Sequence, residues 1–200
     1  MAEQGYDLRE RKRTRTRLMI QSEALRLFAE KGYDETTIEE IAFAAAISPR
    51  TFFRYFPTKE DVVLWDEYDP LAPDLLAARP DDEPPAQTLV AIMREALAGL
   101  QRRDPEGLLV KVRLLTSVPE LRARLMEQQA TGAQWLAAQQ AQRRGQAVDE
   151  IALRVVATAL GGAAMVALDL WQTEDGKTDL VGLVDRAIGA LAESMRDLRA

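Results

Sequence analysis

Apolar residues recur at three- and four-residue intervals along almost the whole chain, which is the spacing of one face of an α-helix. In the first predicted helix this face consists of Leu18, Met19, Ala24, Leu25, Leu27 and Phe28. Gly32 then ends the pattern, as glycine commonly does after the last turn of a helix. Alternating runs of β-branched residues, which are typical of strands, are absent from the sequence. The pattern therefore predicts an all-α chain.

Polar capping residues mark where the next helices begin. Thr37 can cap a second helix, and Glu40, three residues later, completes the reciprocal pair known as a capping box. After a short break, Ser48 and Pro49 open a third helix as its N-cap and first helical residue. Thr58 caps the helix that follows. Short helices joined by a tight turn in this way predict a helix-turn-helix.

The remainder of the chain is also predicted to be helical, apart from one proline-rich segment. Residues 69–85 contain five of the nine prolines together with an acidic run, and this composition predicts a linker or loop. Beyond it the periodicity predicts helices at about 87–103, 107–117, 119–144, 148–173 and 178–198. We therefore expect an N-terminal three-helix helix-turn-helix domain followed by a C-terminal helical bundle of about six helices.

Charge is distributed unevenly along the chain. The net charge is −6, yet residues 1–59 carry 11 basic against 9 acidic side chains, and residues 60–200 carry 15 against 23. The segment Arg9–Arg17 concentrates six basic residues around a single acid, Glu10. A basic arm on an acidic chain predicts a small polyanion-binding head on a body that does not bind nucleic acid. A solvated tail is the alternative that charge alone leaves open.

The sequence contains neither histidine nor cysteine. Disulfides and cysteine-ligated metals are therefore excluded, and the commonest general base is missing, so we predict no enzyme, no metal site and no cofactor. The N-terminus lacks the basic start and apolar core of a secretory signal. The longest apolar stretch, Val155–Leu168, is too short to cross a bilayer. A cytoplasmic protein without a membrane partner is expected.

The third helix has the polar face that a recognition helix needs. Phe52 and Phe56, four residues apart, should point into the core and leave the opposite side to polar residues. Arg50 can reach a guanine edge with two hydrogen bonds, Thr51 can meet a thymine methyl or a phosphate, and Tyr55 can donate to phosphate. A lysine at the start of the next helix and two capping hydroxyls add candidate phosphate contacts, and the basic arm can lie along the backbone or enter the minor groove. The predicted DNA contacts are Thr37, Ser48, Arg50, Thr51, Phe53, Arg54, Tyr55 and Lys59.

Residues 17–63 resemble the DNA-binding domain of TetR-family regulators. The segments that carry the resemblance are Ala24–Tyr33, Thr36–Ile38, Ile41–Ala42, Ile47–Ser48, Thr51–Phe53, Tyr55–Phe56 and Lys59–Glu60. The resemblance implies a homodimer of all-helical subunits, with a DNA-binding domain at 1–63 and a ligand-binding and dimerisation domain at 64–200. It also implies that most of the predicted DNA contacts face DNA. The family's usual turn glycine is replaced by Ala46, and its usual tyrosine by Phe53, which cannot donate to phosphate.

The C-terminal part resembles mycofactocin-type TetR regulators at Val112–Met126 and in the later helix rich in alanine and glycine. This second resemblance suggests a small apolar effector, such as an acyl-CoA. A ligand pocket inside a helical bundle is mostly apolar, and flexible methionines adapt to a long apolar ligand. The predicted ligand contacts are Trp65, Met93, Leu97, Leu114, Met126, Trp135, Met165 and Trp171. An ordinary bundle core is the alternative for these residues.

Two segments favour a homodimer. Small residues at 157–164 allow close approach of helices, and the last helix carries an apolar stripe from Leu180 to Met195. Two such helices from each subunit would form a four-helix interface around a two-fold axis. A dimer also suits a double-stranded DNA operator, because two heads one helical turn apart read a palindrome.

These patterns predict a sequence-specific DNA-binding transcriptional regulator, a repressor that is released by its ligand. A transcriptional activator, or a DNA-binding dimer without an effector, is the first alternative. The second is an enzyme or acyl-carrier body with a vestigial head, although no reactive constellation of residues is visible. The helix from Thr58, which leads towards the body through Val62, Val63 and Trp65, is the predicted lever between ligand and DNA.

Overall fold

The computed structural model describes residues 2–66, 72–145 and 149–197. Within these ranges it contains helices and turns but no strand, which confirms the all-α prediction. The helices are α1 (Ala2–Lys31), α2 (Ile38–Ala44), α3 (Pro49–Tyr55), α4 (Lys59–Leu64), α5 (Ala72–Ala77), α6 (Pro85–Arg103), α7 (Pro105–Ser117), α8 (Pro119–Arg144), α9 (Glu150–Thr173) and α10 (Leu180–Asp197). The chain divides into two compact units, residues 1–69 with α1–α4 and residues 70–200 with α5–α10.

Apolar side chains from α1, α2 and α3 hold the first unit together. Ile20 and Ala24 of α1, Ile41 of α2 and Phe52 of α3 are completely buried, and Phe56 is nearly so. Ala24, Ile41, Phe52 and Phe56 occupy positions that the helical spacing predicts for the core, whereas Met19 of the predicted α1 face is 42% exposed and its neighbour Ile20 is buried instead. Full burial of an isoleucine or phenylalanine side chain stabilises a fold by about 1.5–3 kcal/mol. This small core therefore fixes α2 and α3 against α1 as the helix-turn-helix.

The predicted caps stand at the starts of α2, α3 and α4. The Glu40 N–H donates to Thr37 Oγ1 at 3.2 Å, and the Thr37 N–H donates back to Glu40 Oε2 at 3.0 Å. The Thr51 N–H donates to Ser48 Oγ at 3.1 Å, and Thr58 forms a second reciprocal pair at the start of α4. Each cap satisfies a backbone N–H that the helix itself leaves unpaired. The helix starts in the first unit are thus set by residues only three positions apart.

The turn between α2 and α3 contains the left-handed residue that the missing glycine suggests. Ala46 has a φ of 51°, a region that costs a residue with a side chain about 1–2 kcal/mol. Its N–H donates to the Phe43 carbonyl at 3.0 Å, and the Ile47 N–H donates to the Ala42 carbonyl at 2.9 Å. These bonds satisfy the last carbonyls of α2, so the turn keeps its geometry although alanine is disfavoured there.

Ala46→Gly is expected to stabilise the protein by about 1 kcal/mol, because glycine adopts the left-handed conformation without the steric cost. The midpoint of thermal unfolding, followed by circular dichroism at fixed protein concentration, should rise by about 2–4 °C. Ala130→Gly, at an exposed position in the interior of α8, is the matched control, and it should lower the midpoint, since glycine within a helix costs about 0.5–1 kcal/mol. A lower midpoint for both variants would contradict the strain at Ala46.

The second unit is organised around α9, which packs against α6, α7, α8 and α10. One face of α9 is buried and consists of Leu153, Ala157, Leu160, Ala164, Ala167 and Trp171. A first apolar cluster joins α7, α9 and α10 around Trp171. A second apolar cluster joins α5, α8 and α9 around Leu136. The unit is therefore a helical bundle, as the sequence predicts, with α9 as its central element.

The segment predicted as a linker is partly ordered by α8. Within it, α5 places Leu76 among buried apolar residues of α8 and α9. Arg143 of α8 donates to the carbonyls of Leu76 and Arg79, at 2.7 Å each. The prediction of a linker or loop at 69–85 was therefore wrong at Ala72–Ala77, which form α5, whereas residues 78–84 are turns and loop as predicted. The first residues of that segment lie outside the described part of the chain.

The apolar helix α9 is longer than the apolar stretch noted in the sequence. Residues Ile151–Thr173 are long and apolar enough to cross a membrane by length and composition, so the expectation of too short a stretch was wrong. Glycine and threonine within α9 do not end it, because packing on its buried face stabilises the helix despite their low helix propensity. Core helices of globular proteins pass the same criterion, and one face of α9 is indeed packed inside the bundle.

Candidate nucleic-acid interface and effector region

The recognition helix α3 presents one polar side to solvent. Arg50 and Arg54 are exposed, and the half-buried Thr51 places its hydroxyl 3.0 Å from Ser48 Oγ. Phe52, completely buried, faces the other way. Because successive positions on a helix are about 100° apart, Arg50, Thr51 and Arg54 share the side opposite Phe52. This side has the size and polarity that a helix needs to enter the major groove.

Phe53 and Tyr55 flank the polar side of α3. Phe53 is half exposed and meets the Phe52 ring edge-on, with ring centroids 5.7 Å apart. Its exposed edge can offer DNA an apolar contact but no hydrogen bond. The guanidinium of Arg54 lies 5.2 Å from the centroid of the half-buried Tyr55 ring. This stacking orients Arg54 along α3.

Lys59 has a structural role that the sequence analysis did not anticipate. Its ammonium group donates to the carbonyl of Tyr33 at 2.7 Å and to that of Thr36 at 3.3 Å, and lies 4.1 Å from the centroid of the Tyr33 ring. These contacts tie the start of α4 to the loop after α1. An ammonium group has three protons, so one is left over for a phosphate. Phosphate contact by Lys59 stays a prediction. The two carbonyls would hold its ammonium group in place for that contact.

Gln21 is a positioning residue that the sequence analysis missed. It is buried on α1, and its Nε2 donates to the carbonyls of Val62 and Trp65, both at 2.8 Å. These bonds satisfy carbonyls at the end of α4 and hold α4 onto α1, so the first unit carries α4 with it. The signal in the sequence was a polar residue between Ile20 and Ala24, on the apolar face of a helix.

The basic segment is helical. It lies inside α1, which begins at Ala2, so the arm predicted before the first helix is part of that helix. Its exposed basic side chains are Arg9, Arg11, Lys12, Arg13 and Arg15. Arg17 stacks over the Trp65 ring at 5.7 Å, and its Nε has no hydrogen-bond partner among the described residues. Burial and, to a lesser extent, the neighbouring positive charge of Arg13 lower the pKa of Arg17.

Three of the predicted ligand contacts pack against the two apolar clusters of the second unit. Met93 and Leu97 of α6 pack against the cluster around Trp171. Trp135 packs against the cluster around Leu136. The other two predicted contacts below the surface are Leu114, buried on α7, and Met165, half-buried on α9. Contact of these five residues with a ligand stays a prediction.

Three predicted ligand contacts have placements that argue against that role. Met126 is 60% exposed on α8. Trp65 belongs to the first unit, where its ring meets that of Phe56 with centroids 6.1 Å apart. Trp171 is completely buried, and its indole N–H donates to the Thr178 carbonyl at 3.0 Å. Large apolar size suggested all three, but Trp65 and Trp171 pack within the protein itself and Met126 lies on its surface.

Two further features adjoin α6. A cleft of about 420 Å³ opens towards α9 and α10. Its apolar lining includes Val90, Ala91, Val156, Leu160 and Ile188, with Arg79 and Arg94 beside them. Thr88 of α6 and Gln140 of α8 are completely buried, and Gln140 Nε2 donates to Thr88 Oγ1 at 3.2 Å. Neither feature is predictable from local spacing, because each depends on residues from separate helices.

The outer face of α9 is exposed and mostly apolar, with Thr158 and Asp169 as its polar members. Ile151, Val155 and Val166 are 76%, 62% and 57% exposed, and Leu170 is about half exposed. These residues and the exposed Gly162 lie on the side of α9 opposite its buried face. Exposed apolar patches are typical of surfaces that contact another molecule.

Both compact units match known families. Residues 20–64 match the family described as bacterial regulatory proteins, tetR family, and residues 83–196 match the family described as the MftR C-terminal domain. The chain is 38% identical over 126 residues to the HTH-type transcriptional regulator TcmR of Streptomyces glaucescens, which covers 60% of this chain and 56% of TcmR. It is 26% identical over 185 residues to MftR of Mycobacterium tuberculosis, named for regulation of mycofactocin biosynthesis, which covers 90% and 92% of the two chains.

A solved structure gives the same picture. The fold is similar to that of Thermus thermophilus FadR, a TetR-family transcriptional repressor in complex with lauroyl-CoA, with a TM-score of 0.53 and 27% identity over 90% of this chain and 94% of FadR. The match to the MftR C-terminal domain alone covers more than half of the chain, and the tetR-family match covers the helix-turn-helix. The resemblance predicted from the sequence is confirmed: the chain belongs to the TetR family of DNA-binding transcriptional regulators, which are not enzymes.

Proposed function

We propose that this protein is a ligand-released repressor that binds a palindromic operator as a homodimer in the cytoplasm. The observation that carries the proposal is the exposed polar side of α3, with Arg50, Thr51 and Arg54 opposite a buried Phe52. The hydrogen-bonded turn before α3 and the Ser48 cap fix the orientation of α3 and hence of these side chains. Preorganised side chains lose less entropy on binding, so they can discriminate between bases.

In the proposed complex, Arg50 forms a bidentate contact with a guanine, and Thr51 contacts a neighbouring base or phosphate. Tyr55 and Lys59 contact the phosphate backbone, which positions α3 in the groove. Thr37 and Ser48 cap their helices and add their hydroxyls to phosphate contacts. Phe53 contributes only apolar contact. Because only Arg50 and Thr51 are proposed to contact bases, specificity should depend mostly on the first turn of α3.

The basic segment of α1 is proposed to follow the phosphate backbone beside the half-site. From Arg9 to Arg17 a helix extends about 12 Å, equivalent to about three or four base pairs of B-DNA. All of its basic residues except Arg17 are exposed in the isolated chain. A helix in this position adds affinity that is independent of sequence and sensitive to salt.

The outer face of α9 is proposed to be the centre of the homodimer interface. Val155, Gly162 and Val166 share one side of the helix, and glycine allows the helix of a second copy to approach closely. A two-fold dimer brings the same patch of both copies together and removes it from water. The exposed Met195 of α10 would extend this surface.

The effector is proposed to be a small apolar molecule, with acyl-CoA as the first class to examine. FadR, at 27% identity across most of both chains, is described in complex with lauroyl-CoA. The second unit has apolar clusters and a cleft of about 420 Å³, within the size range of ligand sites. Release requires that the effector bind the DNA-free conformation more tightly, because equal affinity for both conformations shifts no equilibrium.

The experiment begins with selection of duplexes from a random-sequence pool by the full chain. A palindromic sequence should be enriched, and fluorescence anisotropy with that duplex should show weaker binding when lauroyl-CoA is added. Failure to enrich any sequence would contradict sequence-specific binding. An affinity that acyl-CoAs of several chain lengths leave unchanged would contradict an acyl-CoA effector.

Arg50→Ala is expected to weaken binding to the selected duplex by about 1–3 kcal/mol, roughly 5- to 150-fold, because a bidentate base contact is lost. The variant should also lose preference at one base position of each half-site. Arg26→Ala is the matched control, because it removes the same charge from α1, where Arg26 is bonded to Glu23 and Glu30. Equal losses in the two variants would show that Arg50 contributes only general charge.

A further inference from the structure

A polar chain runs from the interior of the second unit to its surface between α8 and α6. Gln140 and Thr88 are both completely buried, and Gln140 Nε2 donates to Thr88 Oγ1 at 3.2 Å. The Thr88 hydroxyl donates to Glu83 Oε2 at 2.9 Å. Arg79 Nε donates to the same carboxylate oxygen at 2.8 Å. Four side chains thus form one connected path, and its inner end is Gln140.

The direction of the hydrogen bonds in this path is determined by its outer end. The hydrogen bonds from Arg79 lower the pKa of the Glu83 carboxyl to about 2, so at neutral pH the carboxylate accepts and cannot donate. The single proton of the Thr88 hydroxyl faces two acceptors, Glu83 Oε2 at 2.9 Å and the Pro84 carbonyl at 3.4 Å. The Thr88 oxygen can therefore only accept, and Gln140 must turn its amide N–H towards it.

As a result, Gln140 presents its carbonyl oxygen to the interior. Among the described residues, Gln140 Oε1 is buried and has no hydrogen-bond partner. A buried amide oxygen without a partner costs about 1–3 kcal/mol, so folded proteins rarely leave one unless a water or ligand occupies the site. The helix positions next to it are apolar, with Leu136 and Ala137 one turn earlier on α8 and Leu89 and Ile92 beside Thr88 on α6.

We propose that Gln140 is an effector-contacting residue that selects apolar ligands carrying an uncharged hydrogen-bond donor, a hydroxyl or an amide N–H. Thr88 and Glu83 are positioning residues, because they act by fixing which end of the Gln140 amide faces the ligand. The donor is uncharged because a cation would lose its hydration in an apolar surrounding. As an effector contact, Gln140 rests on the proposed ligand-released function.

The probes are 1-octanol and methyl heptyl ether, which have equal numbers of heavy atoms but differ in the ability to donate. Binding to the full chain is measured by isothermal titration calorimetry. The alcohol should bind about tenfold more tightly than the ether, since the ether leaves Gln140 Oε1 unpaired. A ratio near one, or binding of neither probe, would overturn the inference and leave a buried water as the partner of Gln140.

Glu83→Gln provides the sharpest variant, because the new amide can donate to Thr88 as well as accept from it. The Thr88 hydroxyl can then turn, and the Gln140 amide can present either end. The tenfold ratio should fall towards one, with tighter binding of the ether than in the unmodified protein. A structural role alone would weaken both probes equally and keep the ratio. Glu120→Gln, an exposed glutamate at the start of α8, is the matched control and should keep it as well.

Gln140→Leu removes the acceptor and keeps the approximate shape of the side chain. The preference for the alcohol should disappear, and a preserved preference would overturn the inference. DNA release by lauroyl-CoA is measured in parallel with the unmodified protein. If lauroyl-CoA releases DNA but the ratio of alcohol to ether affinity is unchanged in the Gln140 and Glu83 variants, this inference alone fails. If the ratio depends on both residues while no acyl-CoA releases DNA, the proposed acyl-CoA switch fails.

Discussion

Replacing Val155 and Val166 with arginine is expected to convert the protein into a monomer and to weaken operator binding by about 100-fold or more. The two residues are exposed on one side of α9, eleven positions apart, where a second copy is proposed to pack. In a two-fold interface the same patch of both copies meets. The two substitutions would therefore place four arginines in one apolar contact. A monomer keeps one head, and it loses the gain in effective concentration that links the second half-site to the first.

Sedimentation equilibrium measures the first part of this prediction, with a mass near 22.3 kDa for the variant and twice that value for the unmodified protein. Fluorescence anisotropy on the selected duplex measures the second part. Met126→Arg introduces the same side chain at an exposed apolar position on α8 and should leave mass and affinity unchanged. A dimer that persists in the double variant would place the interface elsewhere.

Replacing Trp171 with alanine is expected to lower the free energy of unfolding by about 3–5 kcal/mol, because a completely buried indole leaves a large cavity. The residue also joins α9 to the turn that follows. Its N–H donates to the Thr178 carbonyl, and a side chain added at Gly176 would come within 3.1 Å of the ring. The variant therefore loses apolar burial, a hydrogen bond and the support of the turn before α10.

Urea denaturation at fixed protein concentration measures this loss, since dimerisation makes apparent stability depend on concentration. Trp171→Phe should lose only about 1–2 kcal/mol, because the ring keeps most of its packing and only the hydrogen bond and a smaller volume are lost. Met126→Ala, at an exposed position, should change stability by no more than about 0.5 kcal/mol. A loss below about 1 kcal/mol for Trp171→Ala would contradict its role as the centre of the cluster.

Helices and their starts were predictable because the signals are local. Thr37, Ser48 and Thr58 each bond within three residues of their own positions, so neither partner depends on the rest of the fold. The apolar faces of α1 and α3 follow from spacing in the same way. The left-handed turn at Ala46 could be expected from the family pattern, in which glycine occupies that place.

The contents of the second unit were much less predictable. Size and hydrophobicity suggested Met126, Trp135 and Trp171 equally as ligand contacts, yet one is exposed, one is half-buried and one is completely buried. Helical periodicity indicates which residues share a face, but it does not indicate which faces meet. The proline-rich segment shows the same limit, because its order depends on Arg143, more than sixty residues away.

By itself, the sequence determined the all-α architecture, the capped helix-turn-helix, the basic character of its first helix and the family, since each depends on residues close together in the chain. Only the tertiary structure decided that Lys59 secures the loop after α1, that α9 buries one apolar face and exposes the other, and that Gln140 meets Thr88. The last pair is separated by 52 positions. Its contact and the direction of its hydrogen bonds arise from packing of α8 against α6, which no local spacing encodes.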